Sequence, residues 1–350
     1  MSNYYKEQQT KLNLKIRDML KHLPLFVREF INGIADTTTA RTRLSYVYDL
    51  GIFLNYLANE GQGFGTDIMD FTLREMESIS SAQLDDYKVY LDFYIRNNAK
   101  SIIETVNHAE GKSRKLSTLR TFYKYFLKKE KITRNPTDFI DLPKLSVKSI
   151  VRLEYNEVAK LLDIVDGGDG LTERQKIWHY HTKTRDAAII TVLLGMGIRV
   201  SECVGIDITH LDFENGGIYI TRKGGGQALI YFGDEVEFAL NKYMDMREEI
   251  HAQPGHQDAL FLSMQNRRID VRTVQKLVKK YSSLVTAHKN ITPHKLRSTY
   301  GTNLYRETGD IYLVADVLGH KNIETTRKHY AEQSDENRRK AARAVKLRDD

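Results

Sequence analysis

The sequence predicts a mainly α-helical protein of two domains, with a small β-sheet or hairpin in the C-terminal one. Three observations predict it. Through roughly the first 140 residues, apolar side chains recur at the 3.6-residue spacing of amphipathic helices, with little strand-like alternation. The stretch 141–152 contains Pro143 and has no clean period, which marks an interdomain linker. Beyond it helical segments resume, and one pair of β-branched and aromatic runs flanks a glycine-rich turn. A chain of 350 residues, 41% apolar and 28% charged, is long enough for two cores. The expected units are a helical domain at 1–140, the linker at 141–152, a second domain at 153–332 and a tail helix at 333–350.

In the first domain a helix is expected over 39–59. Leu44, Val47, Tyr48, Ile52, Phe53, Tyr56 and Leu57 form its stripe, and Glu60-Gly61 ends it. A second is expected over 82–95, with Leu84, Tyr87, Leu91 and Tyr94 in step. A third, over 115–129, turns Leu116, Leu119, Phe122, Tyr123 and Phe126 inward and Arg120, Lys124 and Lys128 outward; Asn135-Pro136 stops it.

The second domain opens with a helix over 156–165. The Gly-rich, polar stretch 166–184 reads as an insertion or mobile loop. Its His179-Tyr180-His181 cluster lacks enough further ligands nearby, so no metal site is expected. The apolar run Ala187 to Ile198 is 12 residues, too short to span a bilayer, and reads as a buried core helix. Ile218–Thr221 and Leu229–Phe232 flank Arg222-Lys223-Gly224-Gly225-Gly226 as a hairpin. That turn matches neither GxxxxGK[ST] nor GxGxxG after a strand, so it is not read as a nucleotide loop. Thr292 and Pro293 suit the N-cap and first position of a helix. Gly319 suits the left-handed residue after a short helix built on Ile311, Val314 and Leu318.

Charge points to a polyanionic partner. Residues 110–152 carry 12 Lys and Arg against 4 Asp and Glu, a net +8, while the whole chain is only +7. A basic segment on an otherwise balanced protein is the footprint of nucleic acid. The candidate phosphate contacts are Lys112, Arg114, Lys115, Arg120, Lys124, Lys128, Lys144, Lys148 and Arg152. The first 25 residues hold basic residues but no apolar signal segment, and the single Cys203 offers no internal disulfide. The expectation is a cytoplasmic protein with no membrane contact.

Four segments concentrate polar residues that a core would not choose. Arg199 directly follows the buried helix and needs a partner, and Glu202 stands three residues on. Lys223 sits at the hairpin tip. His294 and Arg297 lie one turn apart at a helix N-terminus, an anion site by charge and by donors. His320 follows Gly319 at once, and the next helix brings Tyr330 along. Taken singly each has a plain structural explanation. Their order over about 130 residues is the signal.

Together these segments resemble the tyrosine recombinase (phage integrase) family, in its Xer-like branch. GMGIRVSE at 195–202 looks like the family's first arginine box, HKLRST at 294–299 like its H-x-L-R box, and LGH at 318–320 with TTRKHY at 325–330 like its last box. TRKGGG at 221–226 is similar to the hairpin bearing the family's lysine. The resemblance implies a two-domain C-shaped DNA clamp, a helical core-binding (SAM-like) domain with an α+β catalytic domain. It implies a site-specific recombinase, engaged in chromosome-dimer resolution or in integration and excision of a mobile element. The catalytic residues it implies are Arg199, Lys223, His294, Arg297, His320 and the nucleophile Tyr330. Tyr330 stands ten residues after His320, one more than is usual, with His329 in the usual place. Either the turn after His320 is longer by one residue, or the nucleophile assignment changes.

The implied chemistry also makes physical sense. Two arginines can clamp the non-bridging oxygens of a phosphodiester where other enzymes use Mg²⁺, and no paired-carboxylate metal site is visible here. A phosphotyrosine keeps the bond energy, so rejoining needs no ATP and no cofactor. The expected partners are duplex DNA with an inverted-repeat site and three further copies of the chain in a synaptic homotetramer, with accessory proteins possible. Tail helix 334–350, with Ala341, Ala342 and Val345 on one stripe, is the expected exchange element between subunits. Two other readings compete: a type IB topoisomerase-like relaxing enzyme, and a non-catalytic DNA-binding accessory protein. The second would need no Arg-His-Arg-His-Tyr set.

Overall fold

In the computed structural model the chain divides into two compact units, Ser2–Lys148 and Ser149–Asp350. The structure describes residues 3–61, 63–98, 101–145, 150–222, 225–320 and 322–330.

The first unit is built from α1 (Asn3–Leu20), α2 (Leu25–Gly33), α3 (Ala40–Glu60), α4 (Leu73–Ser78), α5 (Ser81–Tyr90), the hairpin β1 (Phe93–Asn98) and β2 (Ser101–Val106), and α6 (Ala109–Lys128). Helix α3 begins where its sequence says, because the Thr39 hydroxyl accepts a hydrogen bond from the Thr42 backbone N at 3.2 Å. Its Val47, Leu50, Phe53, Leu54 and Leu57 join Leu116, Leu119, Phe122, Tyr123 and Phe126 of α6 in one core. Phe26 and Phe30 of α2 meet Phe122 edge-on at 5.8 and 5.5 Å between ring centres.

Inside that core lies a charge. Asp49 is 1% exposed. It accepts from Arg114 through both carboxylate oxygens and from Thr118 Oγ1 at 2.8 Å, so its buried charge is paired and α3 is tied to α6.

The hairpin corrects the sequence reading. A helix was expected to run through 82–95, yet α5 stops at Tyr90 and β1 begins at Phe93. Tyr94 stays buried, because a strand residue facing the core satisfies the same apolar demand as a helical one. The paired runs register Phe93 with Val106 and Asn98 with Ser101. Helix α6 ends within one residue of the expected 129 but starts at Ala109, before the expected 115; Asn135-Pro136, read as its stop, instead opens a short 3₁₀ turn.

The second unit holds α7 (Tyr155–Gly167), α8 (Glu173–Met196), α9 (Val200–Val204), β3 (Leu211–Asp212), β4 (Gly217–Thr221), β5 (Gln227–Tyr231), α10 (Asp234–Glu248), α11 (Val271–Val285), α12 (Pro293–Thr308), α13 (Ile311–Leu318) and α14 (Ile323–Tyr330). Strands β3, β4 and β5 form one antiparallel sheet in that order. Helix α8 packs against α7, α10 and α12 and is the axis of this unit.

Helix α8 also overturns an expectation. The stretch 166–184 is no mobile loop: from Glu173 onward it is the first half of α8. A capping box starts it, with Thr172 and Gln175 each bonding the other's backbone N, at 3.3 and 3.0 Å. His179 is 5% exposed and packs inside the unit. Its Nδ1 contacts Tyr281 Oη at 3.1 Å, and that hydroxyl donates to the buried Asp186 Oδ2 at 2.9 Å. Burial, aided by the nearby Lys280 charge, pushes the His179 pKa down and favours the neutral ring. Among the described residues no helix is long and apolar enough to cross a membrane.

Candidate active site

Helix α8 delivers Arg199. The helix stops at Met196 because Gly197 turns left-handed, at φ 59° and ψ 22°. A side chain there would meet the Tyr300 ring, with an added Cβ only 2.2 Å from Cδ1, so the chain can pass beneath α12 only as glycine. Arg199 then caps α9. Its backbone N donates to Glu202 Oε2 at 2.7 Å and its Nη1 to Oε1 at 2.8 Å. Glu202 is 2% exposed, so the expected partner of Arg199 is in place and buried.

Arg297 is presented by the first turns of α12 and is 3% exposed. It donates through Nη1 to the Gly197 carbonyl at 2.7 Å and through Nη2 to the Leu318 carbonyl. It thus bolts the first arginine segment to the end of α13. Thr292 occupies the N-cap position, but no side-chain cap forms there; its carbonyl accepts from Lys295 and Leu296 instead. His294 is exposed on the first turn of α12, one turn before Arg297.

Gly319 closes α13 in the left-handed conformation, as expected, and the His320 backbone N donates to Ala315 O at 2.9 Å. The His320 ring is then oriented by α14: Nδ1 sits 2.8 Å from the Oγ1 of the fully buried Thr326. That contact fixes the ring plane and leaves Nε2 as the nitrogen on the opposite edge.

The last carbonyls of α13 are a meeting point. Arg199 Nη2 donates to Gly319 O at 3.3 Å, Arg297 to Leu318 O, and Arg222 to Val317 O at 2.7 Å and Leu318 O at 3.0 Å. Cations at a helix C-terminus are favourable, and three guanidiniums meet at this one, just before His320, with Glu202 as a counter-charge to two of them. Arg222, directly after β4, was given no role by the sequence. Its signal was a second base beside Lys223. Burial lowers its pKa, opposed by Glu202.

Among the nominated catalytic residues, the structure brings Arg199, Arg297 and His320 together. Tyr330 ends α14, so its backbone is helical and follows His320 by a short path, while its side chain and that of His329 lie outside the described residues. Lys223 also lies outside them. The nearest rival tyrosines in the sequence, Tyr305 and Tyr312 within periodic apolar stretches and Tyr300 on the face of Leu296 and Leu304, all read as core; Tyr300 and Tyr305 do pack on the Val314–Leu318 cluster, and burial raises the Tyr300 pKa. Tyr312 was expected in the core and is 72% exposed; it points away from the Val314 and Leu318 side of α13.

The nominated DNA contacts divide. Lys124, Lys128 and Lys144 are exposed. Lys112 pairs with Asp92 at 2.5 Å, Arg114 with Asp49, and Arg152 with Glu154 at 3.1 Å. Arg120 caps the Ile140 carbonyl, and Lys115 is buried, donating to Asn107 Oδ1 at 2.6 Å. Burial of Lys115 is the price of its place on the inner edge of α6. Lys148 and the tail 333–350 lie outside the described residues.

Comparison with known proteins now decides the family. The phage integrase family profile matches residues 152–337. The chain is 34% identical over 325 residues to the tyrosine recombinase XerC of Caldanaerobacter subterraneus subsp. tengcongensis, covering 89% of this chain and 84% of the relative.

This chain belongs to the phage integrase family, the tyrosine recombinases.

A second recombinase of that kind, the XerC of Escherichia coli O6:K15:H31, is 29% identical over 287 residues, 79% of this chain and 89% of the relative. Among solved structures, a Tn1549 transposon integrase in complex with transposon right end DNA aligns with a TM-score of 0.66 at 19% identity, over 91% of this chain and 98% of that one. The XerH site-specific recombinase bound to palindromic difH substrate aligns at 0.62 and 18% identity, over 91% and 94%. These likenesses establish the recombinase's two-domain, mostly helical fold. With the sequence relatives, they make the chain a site-specific tyrosine recombinase that acts on DNA.

Proposed function

We propose that this recombinase cuts one DNA strand at a time with Tyr330 and rejoins it without a cofactor. The observation that supports this most is the shared turn at the end of α13, where Arg199 and Arg297 are anchored immediately before His320. In this reading the two guanidiniums hold the non-bridging oxygens of the scissile phosphate, and His294 and His320 add hydrogen bonds or carry protons. The Tyr330 oxygen bonds to phosphorus as the P–O5′ bond breaks. The product is a 3′-phosphotyrosine, and Lys223 gives the departing 5′ oxygen its proton. Reversal by the 5′-hydroxyl of a partner strand completes exchange.

The test is a plasmid carrying the recognition site, incubated with the protein in EDTA. A nicked or relaxed product with protein joined to the 3′ end is expected. Loss of all cleavage in EDTA, restored by Mg²⁺, would instead indicate a metal nuclease.

The same reading includes a homotetramer on paired inverted-repeat sites, in which the tail helix docks on a neighbouring subunit. A helix with only Ala341, Ala342 and Val345 on its apolar stripe buries little against its own chain. Deleting 334–350 should therefore weaken synapsis of two sites more than binding of one, as read by gel mobility. Equal losses would point to a tail that contacts DNA.

A further inference from the structure

Arg222 directly follows β4, one residue before Lys223. An arginine at the base of a hairpin turn is ordinarily solvated, yet this side chain is 15% exposed. Its guanidinium crosses to α13 and donates to two carbonyls, Val317 O at 2.7 Å and Leu318 O at 3.0 Å. Glu202 Oε2 lies 4.0 Å from Nη1. Gly319 lies so close that an added Cβ would be 2.6 Å from Nη1. The Arg222 backbone is held as well: its N donates to Gly226 O at 2.7 Å, and its carbonyl accepts from Gly225 N at 3.0 Å.

The turn that Arg222 grips is the one that Arg199 and Arg297 grip. The phosphate clamp and the base of the hairpin are therefore referenced to one rigid object, the last turn of α13. We propose that Arg222 is a positioning residue for strand cleavage: it registers the β4–β5 hairpin, and with it the acid Lys223, against the helix end held by the two clamp arginines. This rests on the reading of Lys223 as the group that protonates the leaving oxygen.

The demand for such a residue is geometric. Proton transfer needs donor and acceptor within about 3 Å, and a misplacement of about 1 Å costs on the order of 10²-fold. A lysine at 222 would keep the charge but has its three donors on one nitrogen at the end of a flexible stem, so it cannot hold the two carbonyls at the fixed spacing of the planar fork.

The experiment compares two nicked suicide substrates that differ in one atom. In one the 5′ bridging atom of the scissile phosphate is oxygen, and its departure takes up a proton. In the other it is sulfur; the Tyr–P bond forms, the P–S bond breaks, and the thiolate leaves unprotonated. Arg222→Ala should cleave the oxygen substrate about 10²-fold more slowly than wild type. On the sulfur substrate it should return to near the wild-type rate, as should Lys223→Ala. Arg222→Lys should fall between, and it carries the same comparison if Arg222→Ala does not fold. Sulfur that restores Lys223→Ala but not the Arg222 variants overturns the proposal and leaves the acid assignment standing. Sulfur that restores neither removes the acid assignment and the proposal with it. An Arg222→Ala enzyme with wild-type cleavage of the oxygen substrate also overturns it.

Discussion

Tyr330→Phe should bind its DNA site as tightly as wild type and form no covalent adduct. The substitution removes one oxygen, so the packing of α14 is kept while the atom that would bond phosphorus is gone. Loss of a covalent nucleophile costs about six orders of magnitude in turnover where it has been dissected, which places the variant below detection. The measurement is a nicked suicide substrate, followed by digestion and mapping of the trapped peptide. Mapping also resolves the register between His329 and Tyr330. One residue turns a helical side chain by about 100°, so two neighbours on α14 cannot both face one phosphate. An adduct on another residue, or one that survives in Tyr330→Phe, would reassign the nucleophile.

The second large effect is expected at Arg297, and it is double. Arg297→Ala should slow single-turnover cleavage by about 10³–10⁵-fold, the range seen when a transition-state arginine is lost. It should also destabilise the fold, because Gly197 O loses its buried donor, at about 1–3 kcal/mol, while Leu318 O keeps the one from Arg222. Arg199→Ala should share the rate loss and also cost stability, because Glu202, 2% exposed, loses its nearest ion-pair partner. Chemical denaturation alongside cleavage separates the two effects. A cleavage rate within tenfold of wild type in Arg297→Ala, with the fold intact, would remove Arg297 from the chemistry.

What the sequence made legible follows from how each segment solves its backbone and core problems. Helix α3 was readable because Thr39 caps it, its stripe keeps one period, and Gly61 follows its end. The end of α8 was readable because a long apolar run meets a glycine and then an arginine, and only a core edge accommodates that order. The start of α8 was hidden: ERQKIWHYHTKTR is polar on several sides, with Ile177, Trp178 and Tyr180 exposed. Its one local signal is the pairing of Thr172 with Gln175. The β1–β2 hairpin was missed because Leu84, Tyr87, Leu91 and Tyr94 keep helical spacing across the true boundary. The runs FYIRNN and SIIETV around Asn97-Asn98 carry the competing strand signal.

At the site, Arg199, Arg297 and His320 were legible through their segments, and the Arg199–Glu202 pair through the cost of an unpaired charge. The convergence of three arginines on one helix end was not. Arg222 is 95 residues before Val317 in the sequence, and no local pattern reports a contact made by the fold. Basic composition likewise overstated the outward charge of α6, because counting residues does not distinguish Lys124 in water from Lys115 in the core.

The arginine cluster also sets what the enzyme is like between encounters with DNA. Three like charges gather at the end of α13, with Glu202 beside Arg199 and Arg222. The helix-end carbonyls offset part of the mutual repulsion, and burial withholds the water that would screen the rest. A DNA phosphate held there, as proposed above, would add counter-charge at this helix end. By mass action a ligand at a hundredfold excess over its Kd adds about 2.7 kcal/mol to the folded state. A recombination site is then a folding partner as well as a substrate. Protein on its site should therefore resist limited proteolysis better than protein without it, and equal digestion rates would remove this expectation.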